Sequence, residues 1–122
     1  MENDDRQPFA APTPETIDRR SQPRFKFETD ITVYARSCGL LKGHTIDISE
    51  SGVSALLMIE VPVGEVVELE FTVPYGPVRI YAMVRQRSAF RYGFQFVQSE
   101  VICELIRPTC HELAMRESLP GG

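Results

Sequence analysis

From Arg24 onward the chain alternates between apolar and polar positions. Phe25, Phe27, Ile31, Val33 and Ala35 take one parity, and Lys26, Glu28, Asp30, Thr32, Tyr34 and Arg36 the other; Thr29 alone breaks the apolar side. Successive side chains on a strand point to opposite faces, so this two-residue period predicts a half-buried strand. Cys38-Gly39 marks a turn, residues 40–48 read as a second strand, and the turn formers between Asp47 and Gly52 lead into a third at 53–58. Val67, Leu69, Phe71 and Val73 against Glu68, Glu70 and Thr72 give a fourth. After Pro74-Tyr75-Gly76-Pro77 a fifth follows, with Val78, Ile80, Ala82 and Val84 opposing Arg79, Tyr81, Met83 and Arg85, and residues 92–97 form a sixth.

The period then changes. Val101, Ile102, Leu105, Ile106 and Leu113 follow a helical stripe with Ser99 as its N-cap. Pro108 is expected to kink or split this helix, because it removes a donor and disfavours helical geometry at Arg107. Short strands with one apolar face each suggest a closed antiparallel barrel, and closure removes the edges an open sheet would have to protect. The expected fold is all-β: a six-stranded antiparallel barrel over about residues 24–97 with a C-terminal α-helix over about 99–117. The helix should cap one barrel end, and nothing in the sequence chooses which.

Residues 1–18 carry Pro8, Pro12 and Pro14 among acids and small residues without periodicity, so a flexible tail is expected there and a disordered end at 118–122. The 122 residues suit one domain whose core needs no disulfide or metal. No apolar run approaches the ~20 residues of a membrane span. Glu2-Asn3-Asp4-Asp5 lacks the basic and apolar regions of an export signal, so the expected location is cytoplasmic, without membrane insertion. Cys38, Cys103 and Cys110 have no regular spacing and, with His44 and His111, form no paired ligand motif. Reduced thiols and no metal site are therefore expected. The net charge of -4 argues against a nucleic-acid partner. Yet Arg19, Arg20, Arg24 and Lys26 fall within eight residues, and a basic cluster in an acidic chain suits a small anionic ligand.

Two motifs carry candidate chemistry. Arg20-Ser21-Gln22-Pro23-Arg24 is an RxxxR element at the start of the first strand, with Arg19 just before it. Asp47-Ile48-Ser49-Glu50-Ser51-Gly52 is a [D/N]xSxxG element in the turn between the second and third strands. Alone, the first is more often a pair of solvated charges and the second an ordinary turn. Their joint placement, with Tyr92-Gly93-Phe94-Gln95-Phe96 downstream, resembles the PilZ family from about Arg19 through the C-terminal helix, residues 19–117.

That resemblance implies a PilZ-type barrel that binds the second messenger cyclic di-GMP. The residue chemistry agrees with it. An arginine fork fits the O6 and N7 acceptors of guanine or clamps a phosphate, and it can stack on the ring. A carboxylate suits the N1–H and N2–H donor edge. By resemblance, Arg20 and Arg24 would hold guanine edges and phosphates, Asp47 and Ser49 would complete the guanine contacts, and Gly52 would shape the turn. Arg19 is a further stacking candidate that would favour a stacked pair of ligands over one. The chain lacks tryptophan, and Gln86 lies near where some relatives offer an aromatic to the ligand. The implied protein is a signal-transduction receptor that switches an unidentified effector protein, without a cofactor. A PilZ-like scaffold that needs no ligand is the alternative.

Catalysis is not expected. Acid–base work needs titratable groups converging in a cleft. His44 has Asp47 nearby in sequence, but strict strand parity puts the two on opposite faces. Arg85, Arg87 and Arg91 read as a solvated rim around a strand-to-strand turn.

Overall fold

The structure is a computed structural model that describes residues 22–118. Its strands are β1 (Phe25–Lys26), β2 (Asp30–Ala35), β3 (Gly39–Ile48), β4 (Gly52–Leu57), β5 (Val66–Val73), β6 (Gly76–Ser88) and β7 (Arg91–Phe96). All pairings are antiparallel, in the order β1-β3-β2-β5-β6-β7-β4, and β4 pairs back to β3. Six strands thus close a barrel, as the alternation predicts. The two-residue β1 extends β2 along the same edge of β3.

The expected first strand is therefore broken in the middle, at the position where its alternation fails. Phe27 N–H still donates to the Ile46 carbonyl at 3.0 Å, and Thr45 N–H to the Thr29 carbonyl at 2.8 Å. Between them the buried Thr45 hydroxyl donates to the Phe27 carbonyl and accepts from Thr29 N–H. A side chain from β3 takes the place of a missing ladder rung and gives the Phe27 carbonyl and the Thr29 N–H their partner.

The core follows the apolar parity. Ile31, Val33, Leu41, Ile48, Val53, Leu57, Val67, Leu69, Val78, Val84 and Phe94 are buried, and Phe71 stacks on Phe96 with ring centroids 6.5 Å apart. The segment joining β4 to β5 crosses one barrel end and inserts the fully buried Val61, whose N–H donates to the Tyr92 hydroxyl at 2.9 Å. β6 runs on to Ser88, so Arg85 and Arg87 lie in the strand and only Ala89 and Phe90 make the turn to β7. Ala89 holds a φ of 55°, a left-handed value that few residues other than glycine adopt.

The other end is covered by the helix, which settles the open choice of ends. Ser99 caps it, accepting from Val101 N–H at 3.2 Å. Before Pro108 the chain widens into a π-helical turn (Ile102–Ile106), in which Arg107 N–H donates to the Ile102 carbonyl; α1 (Arg107–Ser118) follows. Pro108 has no N–H to give the Glu104 carbonyl, and the local ladder shifts by one residue instead of breaking. Leu105 packs beside Gly76, Tyr75 donates to Glu112 at 2.8 Å, and Arg107 Nε donates to Glu50 Oε1 at 3.2 Å. The capped end is thus the one that carries the Asp47–Gly52 turn. Among the described residues no helix is long and apolar enough to cross a membrane.

Candidate functional site

The site is built where β1, β3, β4 and β7 run side by side. In register, Lys26 pairs with Asp47, Asp47 with Ser54, and Ser54 with Gly93. The pairing between β3 and β4 shifts between Thr45 and Asp47, a bulge with Ile46 as the extra residue. One extra residue reverses the parity of everything beyond it. Ile48 thereby enters the core and Asp47 faces outward, on the same face as His44. Strict parity had separated those two residues, and the bulge corrects it. They still do not meet: His44 Nδ1 lies 3.2 Å from Asp30 Oδ1.

Of the first motif, Gln22, Pro23 and Arg24 are described; Arg19 and Arg20 lie outside the described residues. Arg24 leads into β1, which places its guanidinium over the outer face of β3 and β4. Its Nε donates to Asp47 Oδ1 at 3.0 Å and its terminal nitrogen to Ser54 Oγ at 2.9 Å. A terminal nitrogen of Arg91, at the start of β7, donates to Asp47 Oδ2, also at 3.0 Å. Asp47 is therefore held between two arginines, its side chain 16% exposed against 43% for Arg24 and 53% for Arg91. Sequence patterning had left Arg91 in a solvated rim. Its link to Asp47 depends on barrel closure, which brings β7 next to β4, and no local signal in the sequence reports that.

The rest of the second motif is spent on the turn. Ser49 is 1% exposed; its N–H donates to the Gly52 carbonyl at 2.8 Å, and its hydroxyl accepts from Ser51 N–H at 3.2 Å. Gly52 has no left-handed φ. Its glycine is required by a neighbour, since a Cβ there would lie 2.1 Å from the Phe94 carbonyl oxygen. The motif thus fixes how closely β4 and β7 approach. Gln86 lies over Gly93, where a Cβ would meet Gln86 Cγ at 2.9 Å. Ser54 and Gly93 bring little side-chain bulk of their own to this face, and Arg24 bonds across the buried Ser54 while Gln86 lies over Gly93.

Beside it, Gln22, Pro23, Phe25, Glu50, Cys110, His111 and Ala114 line a crevice of about 180 Å³ between the first motif, the second motif and α1. Burial pushes the Cys110 thiol up to about 11. A larger open hollow, of about 540 Å³, lies away from the motifs among Arg36, Ser37, Glu65, Val66 and Tyr81. The Glu65 carboxylate there is held below its ordinary range by hydrogen bonds from the Ser37 hydroxyl and backbone N–H. Among the described residues no three His, Cys, Asp or Glu side chains cluster to hold a metal ion.

The sequence profile of the PilZ domain matches residues 18–106. A search of curated proteins gives no match. Among solved structures, the PilZ domain of Escherichia coli YcgR with c-di-GMP superposes with a TM-score of 0.62 at 18% identity, covering 81% of this chain and 94% of that one. The PilZ domain of CeSA from a cellulose-synthesizing bacterium gives 0.61 at 14%, covering 74% and 97%. The Bacillus subtilis inhibitor of motility MotI/DgrA gives 0.69 at 15%, covering 83% of this chain and 54% of that one. At these identities the superpositions speak to the fold.

Proposed function

The chain belongs to the PilZ domain family, and from that premise we propose that it is a cyclic di-GMP receptor acting through a partner protein and not through catalysis. One observation carries the reading: Arg24 of the first motif and Asp47 of the second, 23 residues apart, meet at 3.0 Å on one barrel face. A fork of donors beside a carboxylate suits guanine, whose two edges present acceptors and donors separately. In this reading Arg20 and Arg24 take guanine edges and phosphates, with Arg19 stacking on a base. Asp47 takes the donor edge. Ser49, its hydroxyl engaged in the turn, holds the loop, and Gly52 sets the strand approach.

A ligand that engages both motifs draws the segment before Gln22 against the barrel wall. The new surface is the output, read by a partner in motility, biofilm or polysaccharide control, the processes the family serves. A cytoplasmic location follows from the ligand, which circulates there. Thermal unfolding tests the reading. Cyclic di-GMP at a hundred times its Kd should raise the Tm by about 10 °C, the equivalent of ~2.7 kcal/mol of binding linkage. Linear pGpG should leave it unchanged. No shift with the cyclic ligand would recast the protein as a ligand-independent interaction scaffold.

A further inference from the structure

Arg24 is committed twice in the free protein, to Asp47 Oδ1 and to Ser54 Oγ. A ligand that recruits its guanidinium must break at least one of these bonds. Asp47 would then be a largely covered carboxylate that has lost a cationic partner, which is costly unless another remains. Arg91 is that partner. It approaches from the opposite side and bonds the other oxygen, Oδ2, so the two arginines do not compete for one atom.

The strands explain how it reaches so far. Arg91 pairs with Leu56 on β4, and Asp47 sits one strand further on, opposite Ser54. The arginine side chain crosses the outer face of β4 where the residues are small: Ser54, and Gly93 in β7 beside it. The two-residue turn Ala89–Phe90 fixes where β7 begins. It carries a positive φ at Ala89 only, and the Phe90 carbonyl is tied to Leu57 N–H at 2.9 Å. In a two-residue hairpin that φ position ordinarily takes glycine. The turn's bond to Leu57 therefore ties the start of β7, from which Arg91 projects, to β4.

We infer that Arg91 is a positioning residue of the ligand site, holding the Asp47 carboxylate in place while Arg24 turns to the ligand. The inference rests on the receptor reading above. It separates Arg91 from Arg24: Arg24 touches the ligand, whereas Arg91 acts through Asp47.

A double-mutant cycle by calorimetry tests this, titrating cyclic di-GMP into the full chain and into Arg91→Ala, Arg91→Lys, Asp47→Ala and the Asp47→Ala/Arg91→Ala pair. Protein at concentrations on the order of millimolar keeps weakened binding measurable. Arg91→Ala should weaken binding about tenfold, and Arg91→Lys should recover part of that loss. In the Asp47→Ala background, removing Arg91 should change the affinity by less than about twofold, because the residue it acts through is gone. Arg91→Ala binding like the wild type, or two losses that simply multiply, would overturn the inference and leave the receptor reading intact. Absence of binding by the wild type would overturn both.

Discussion

The hydroxyl of Thr45 bridges a gap in the backbone ladder beside Phe27. It donates to the Phe27 carbonyl at 2.6 Å and accepts from Thr29 N–H at 2.8 Å. The bridge lies two residues before Asp47 and three after Arg24, so it joins the roots of both motifs. Thr45→Val keeps the shape and deletes the bridge, leaving a partly buried carbonyl and a partly buried N–H without their side-chain partner. We expect a loss of about 1–3 kcal/mol of stability, seen in urea or thermal unfolding. An unchanged midpoint would mean that water replaces the hydroxyl.

Gly52 makes a second test of the motif as architecture. A methyl group there has to displace the Phe94 carbonyl, which lies 2.1 Å from the Cβ position and belongs to backbone that cannot rotate away. Gly52→Ala should cost about 1–3 kcal/mol or more, lowering the Tm by several degrees before any ligand is added. A variant as stable as the wild type would show that β4 and β7 can separate freely.

The Cys110 thiol, on the buried side of α1, is pushed up to about 11 because burial disfavours its thiolate. Its ordinary value is 9.0. Between these values the unfolded chain gives up a proton that the folded chain keeps, so stability falls as pH rises. The contribution is fully present below pH ~9 and is lost on approach to pH ~11. In the native state at pH 8, iodoacetamide should label the exposed Cys103 well before Cys110, as read by peptide mass mapping. Equal labelling rates would contradict the helix packing.

Ligand should protect the motif arm. In the proposed complex the chain around Arg19 and Arg20 is held against the barrel, so tryptic cleavage after these residues should slow by about tenfold or more at saturation. Cleavage at an unchanged rate would remove the switching mechanism while leaving binding itself in place.

Much of this molecule was legible in its sequence, and what escaped has a common physical cause. The two-residue period marked each long strand because burial on one face imposes it directly. Thr29 violated that period visibly, but the reason is a side chain sixteen residues away. Ile46 gave no sign of being a bulge, so parity carried Asp47 to the wrong face. The choice of barrel end for the helix rests on contacts such as Arg107 with Glu50, 57 residues apart. Arg91 escaped for the same reason, since its partner is 44 residues away and adjacent only once the barrel closes. Periodicity reports what a residue buries; it does not report which distant residue it meets.

The most direct test of the central claim is a calorimetric titration of the full chain with cyclic di-GMP, run beside Arg24→Ala. The account predicts micromolar or tighter binding, about -8 kcal/mol or better, weakened by about 1–3 kcal/mol in the variant. The same curve counts ligands per chain and so distinguishes one molecule from a stacked pair. Absence of heat at ligand concentrations of about 100 µM, or a variant that binds like the wild type, would contradict it.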